Sequence, residues 1–139
     1  MMELLAIGVG IVEQLRMVPY DLRNYKLRLP HDICERHNVN VRNLWERIKG
    51  KPREELQDVV LELSSLARRY LKEANQKTEG MPRNAHLALL QGVAAEHYLE
   101  RLGKKDFDVF HPGMRKLSQM IVPMRMLRAA SSNQCVLYL

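Results

Sequence analysis

The sequence predicts an all-α protein organised as one domain, and three observations carry that expectation. Leu56, Val59, Val60, Leu63, Leu66, Ala67, Tyr70, Leu71 and Ala74 recur at the i, i+3, i+4 spacing that marks the buried face of a long helix. A second stripe runs through Ala85, Leu89, Leu90, Val93, Ala94, Tyr98 and Leu102. Apolar and polar residues alternate, as in a half-buried strand, only briefly around Leu27 and Leu29. With 139 residues, 46% of them hydrophobic, and neither an internal repeat nor a linker-like stretch, the chain can bury a single core.

Taken in order, residues 1–12 are apolar apart from Glu3, a run too short to span a bilayer. They lack the basic start of a signal peptide and the arginine-rich character of a mitochondrial presequence, and read instead as the second half of a core helix whose beginning lies upstream. Ile7, Ile11, Gln14 and Leu15 keep helical spacing up to Met17. Pro19 is then expected to stop the helix, because the residue before a proline is pushed out of the α region. Residues 31–38 form a short helix with Pro30 near its first position, and Asn40 caps another over residues 41–48, closed by Gly50. Pro52 opens the long helix of the first stripe, with Glu54 and Glu55 complementing its dipole and Glu62, Arg69, Lys72 and Glu73 on its solvent side.

Gly80 and Pro82 break the chain before a second long helix over residues 83–102, ended by Gly103 with Lys104 and Lys105 beside it. Ala88, Gly92 and Ala95 allow close approach of a neighbour. Residues 105–113 are a loop carrying two aromatics, Phe107 and Phe110. A last helix covers residues 114–128, with Leu117, Ile121, Met124 and Leu127 on one side, cations outside, and a kink at Pro123. Residues 129–139 carry no helix signal and read as a divergent tail.

Composition narrows function by exclusion. Twenty-two lysines and arginines against sixteen acids give +6, compatible with an anionic ligand, lipid or nucleic acid. Arg47, Lys49, Lys51 and Arg53, and again Arg68, Arg69 and Lys72, lie without the interleaved aromatics of a single-strand binder, so they read as solvated faces and no nucleic-acid partner is expected. Cys34 and Cys135 lie far apart and form no CxxC, which fits reduced thiols rather than a disulfide framework. His31, Cys34 and His37 fan over a helix without an evident fourth ligand, so packing is expected rather than zinc. His86 and His97 read as structural, and Asp106 and Asp108 as loop-turn residues. No nucleophile–base pair, P-loop or dinucleotide-binding glycine motif is present, and no cofactor is expected.

The stretch 10–32 departs from helical repetition. Asp21 is expected just past a helix end, beside Arg16, Arg23, Lys26 and Arg28. Carboxylate oxygens suit magnesium and cations suit phosphate. Leu15-Arg16, the acidic turn, the basic residues and Leu29-Pro30-x-Asp32 together resemble the second aspartate-rich region of the squalene/phytoene synthase family. The resemblance implies a partial isoprenoid-synthase-like helical bundle, with residues 1–128 as the C-terminal half of that fold. In the family two aspartates, four positions apart, bind magnesium bridging to a prenyl diphosphate; here they would fall at Met17 and Asp21, and the family's asparagine one turn earlier would fall at Glu13. A thioether is no replacement for a hard-cation ligand.

Pro19-Tyr20 and the DFDVFHP run resemble most closely the family's mitochondrial member that assists assembly of NADH dehydrogenase (complex I). That likeness implies a non-catalytic assembly factor at the matrix face of the mitochondrial inner membrane, with complex I assembly intermediates and the lipid surface as partners and no resident metal. A magnesium-dependent prenyl transferase needing a missing N-terminal half, or a basic helical binding module, are the alternatives. Glu13, Arg16, Met17, Asp21 and Arg23 form the degenerate diphosphate region, with Asp21 expected to pair with Arg16 and Arg23. Met114, Arg115, Lys116, Met120, Met124, Arg125 and Arg128 are the candidate membrane or partner contact. Residues 1–17 and the small-residue face around Gly92 are expected to be exposed and to drive self-association.

Overall fold

Every regular element in the computed structural model, which describes residues 2–46, 54–78, 80–82, 87, 89–115 and 121–131, is a helix. They are α1 (Met2–Arg23), α2 (His31–Arg36), α3 (Val41–Glu46), α4 (Glu54–Gln76), α5 (Leu90–Lys104), α6 (Pro112–Arg115) and α7 (Ile121–Ser131). The brief alternation at Leu27 and Leu29 is irregular backbone, and no strand occurs among the described residues.

The core forms where α1 meets α4. Leu5, Val12, Leu15, Val18 and Leu22 of α1 are buried together with Leu56, Val59, Val60, Leu63, Ala67, Leu71 and Ala74 of α4, the stripe predicted from spacing. Gly8 permits this approach: a Cβ there would stand 2.9 Å from Leu71 side-chain carbons and 3.3 Å from the Ala67 carbonyl oxygen. α5 packs against both helices through Leu99, Leu102 and Ala95, and α7 lies against α5.

The first correction concerns Pro19, which does not end α1; the helix continues to Arg23. An internal proline forfeits one backbone bond and crowds the preceding turn, at a cost of roughly 3 kcal/mol. Val18 and Leu22 are each 1% exposed, and burying two such side chains contributes about 1.5–3 kcal/mol apiece, enough to hold the last turn. Asp21 therefore lies inside the helix rather than beyond it.

The second concerns α5, which runs through Gly103 to Lys104. The reversal comes later, at Asp106 and Phe107, with φ of 53° and 59°. Its buried face is Gly92, Val93, Ala95, Glu96, His97, Leu99 and Leu102, while Ala94 and Tyr98 are only half-buried. Because Gly92 and Ala95 are covered, and Leu5, Gly8, Val12 and Leu15 face inward, the expected exposed patch shrinks to the outer side of α1, where Ile7 and Met17 are 39% and 40% exposed.

At the other end, α7 extends through Ala129 and Ala130 to Ser131, so the tail begins with helix. Pro123 lies within α7, and residues 116–120, through which the expected 114–128 helix would reach it, lie outside the described residues. Ala85, His86, Ala88, Lys116, Met120, Cys135 and the 47–53 basic cluster lie outside the described residues.

Candidate functional site

The last three turns of α1 divide the residues expected to form a diphosphate region between two environments. Glu13, Arg16, Met17 and Arg23 lie toward solvent, whereas Asp21 is 2% exposed. The chain that leaves α1 folds back over it: the Asn24 and Lys26 amides donate to the Asp21 carbonyl at 3.0 and 2.9 Å. This return brings Arg28, whose Nε lies 3.7 Å from Asp21 Oδ1. The partner expected from sequence was Arg16 or Arg23. Instead, Arg16 donates to Glu13 Oε1 at 3.0 Å, one turn back, and its Cζ stands 5.9 Å from the Tyr98 ring centroid. Arg23 makes no ion pair among the described residues.

Arg16, Pro19, Tyr20, Arg23, Tyr98 and Val109, with Met114, line a groove of about 390 Å³. Its walls combine guanidinium groups with aromatic and aliphatic surface. Burial pushes the Tyr98 phenol up to about 12, so it stays a neutral donor throughout the physiological range. Tyr20, Tyr98 and Val109 were not singled out as site residues. Spacing points to Tyr20 as well, since it lies one turn after Arg16 and Met17.

The histidine and cysteine positions separate. His31 Nε2 meets Glu35 Oε1 at 2.9 Å on the exposed side of α2, His37 Nε2 meets Glu62 Oε2 of α4 at 2.9 Å, and Cys34 is buried. Among the described residues no group of three or more His, Cys, Asp or Glu side chains is set to hold a metal. Asp108 Oδ1 accepts the Phe110 amide at 3.0 Å, the turn role expected of it.

A buried polar cluster on α5 was not read as a site. Glu96, 4% exposed, holds Oε1 3.5 Å from Arg68 Nε of α4 while Oε2 has no partner among the described residues. Burial pushes its carboxyl up to about 7, with Arg68 opposing the shift. Its signal was in the spacing: Gly92, Ala95, Glu96 and Leu99 follow i, i+3, i+4, i+7, the true inward stripe.

On α7 the candidate contact residues do not act alike. Met114, in α6, is half-buried against the core, and Arg125 pairs with Glu100 of α5 at 2.9 Å. Met124 and Leu127 are 64% and 71% exposed. Among the described residues no helix is long and apolar enough to cross a membrane.

The squalene/phytoene synthase family model matches residues 1–120. The chain belongs to the squalene/phytoene synthase family. Its similarity extends to curated proteins named NADH dehydrogenase (ubiquinone) complex I, assembly factor 6. The Mus musculus protein is 35% identical over 115 residues, 83% of this chain and 33% of that protein. The Homo sapiens protein is 34% identical over 112 residues, 81% and 33% of the two chains, and the Dictyostelium discoideum homolog 33% over 104 residues, 74% and 28%. This squalene/phytoene synthase family chain thus spans about a third of the length of the curated relatives it matches. No solved structure matches it significantly. The all-α architecture agrees with the family match, which includes α1 and its bend over Asp21.

Proposed function

We propose that this chain serves the assembly of mitochondrial NADH dehydrogenase complex I as a non-catalytic part of a squalene/phytoene synthase-like fold. The carrying observation is the donor set at the end of α1. Magnesium requires near-octahedral oxygen coordination. Here Met17 offers a thioether, Glu13 is engaged by Arg16, and the Asp21 carboxylate is buried against Arg28. These residues do not suit a metal bridging to diphosphate.

The names of the similar proteins support an assembly role, and the surface supports a place for it. α7 presents Met124 and Leu127 outward among arginines, a composition suited to the anionic matrix face of the inner membrane, with assembly intermediates as the protein partners. Of Glu13, Arg16, Met17, Asp21 and Arg23, the two arginines then line a cationic, aromatic groove rather than a reaction centre.

The test uses the full-length form. Labelled farnesyl and geranylgeranyl diphosphates are supplied with magnesium, and in parallel Asp21→Ala is introduced into cells lacking the endogenous protein. No incorporation, with complex I assembly rescued to the wild-type level, is expected. Turnover abolished by Asp21→Ala would establish the prenyl transferase reading instead.

A further inference from the structure

His97 and Glu100, three residues apart, share the side of α5 on which α7 lies. Glu100 Oε2 accepts Arg125 Nη1 of α7 at 2.9 Å. One turn away, His97 is 8% exposed, and neither ring nitrogen has a hydrogen-bond partner among the described residues. A neutral imidazole in that setting lacks two hydrogen bonds; an imidazolium would in addition bury a charge.

The groups that face His97 oppose that charge. Arg125 comes from α7, and Arg101 and Lys104 from α5, with Glu100 as the acid among them. Glu100 is already engaged by Arg125, and Arg101 donates to the Gly113 carbonyl. Glu96, the neighbouring acid, is turned toward Arg68 of α4. Among the described residues no free counter-charge is therefore provided for a second cation between the helices.

We propose that His97 is a proton-sensitive latch for α7: the helix stays docked on α5 while the imidazole is neutral and is released when the imidazole takes a proton. Release would uncover Met126 and Ala129, now packed against the core, and add them to Met124 and Leu127 on a single detached amphipathic helix. Burial and the Arg125 and Arg101 charges lower the His97 pKa. Docking is thus complete above the ordinary histidine range, near about 6.5, and weakens as the pH falls below it, because the released helix binds the proton more tightly. The latch goes beyond the assembly reading and stands without it.

The experiment places nitroxide labels at Gln91→Cys and Leu127→Cys in the whole chain, with Cys34→Ala and Cys135→Ser, and measures their distance distribution by pulsed dipolar spectroscopy from about pH 8 to about pH 5, without lipid. One narrow population is expected at the upper end, and a broad, longer one growing as the pH falls. His97→Leu should hold the narrow population throughout; His97→Gln gives the same reading if circular dichroism shows that the leucine variant unfolds. A wild-type distribution that does not move with pH, or a pH response retained in both variants, overturns the latch. Because no vesicle or assembly partner is present, either result leaves the proposed function to its own test.

Discussion

Arg28 Nε stands 3.7 Å from Asp21 Oδ1, tying a carboxylate 3% exposed to a guanidinium that is largely in solvent. The pair fixes the chain where it turns back over the end of α1. Arg28→Ala should destabilise the fold by about 1 kcal/mol, the upper range for a pair with one exposed partner. Arg23→Ala should change it by less than about 0.5 kcal/mol. Urea unfolding of the two variants compares them directly; equal effects would mean that Asp21 does not depend on Arg28.

Glu96 should make stability depend on pH. Its folded pKa, about 7, lies above the ordinary carboxylate value of 4.5, so its favourable contribution is complete below that ordinary value and is lost as the pH rises through about 7. Glu96→Gln should raise the Tm at neutral and alkaline pH and flatten the dependence over this window. His97, with its lowered pKa, acts in the opposite sense, losing stability as the pH falls below its ordinary value. Thermal melts of Glu96→Gln, His97→Gln and the double variant separate the contributions. A Tm profile unchanged by Glu96→Gln would show that the carboxyl is not destabilised by burial.

The glycines of α1 should respond oppositely to alanine. At Gly8 the added methyl would meet Leu71 at 2.9 Å and the Ala67 carbonyl at 3.3 Å, whereas at Gly10 nothing lies within 4 Å. Overpacking at Gly8 costs about 1–3 kcal/mol, more than the helix-propensity gain of about 1 kcal/mol. Gly8→Ala should therefore destabilise, and Gly10→Ala stabilise by up to about 1 kcal/mol. Denaturant midpoints of the variants give the signs.

Vesicle flotation tests the outer face of α7. Wild type should float with anionic vesicles, bind neutral ones less, and be released by high salt, since apolar insertion and cation attraction act together. Met124→Glu with Leu127→Glu should abolish flotation while preserving helix content, because both side chains are exposed in the folded chain. Flotation retained by the double variant would move the contact elsewhere.

The sequence by itself determined the helical class, the buried stripe of α4 and the breaks around Gly80 and Pro82. Those features are local: periodicity, backbone restriction and side-chain chemistry are properties of a few neighbouring residues. The tertiary structure decided where competing local signals were outweighed. Pro19 signals a helix end, yet burial of Val18 and Leu22 carries α1 past it. Asp21 has several cations nearby in sequence, and the fold-back alone brings it Arg28. Glu96 resembles a surface residue until α4 brings Arg68 against its face of α5, because burial depends on what a distant segment places against a helix.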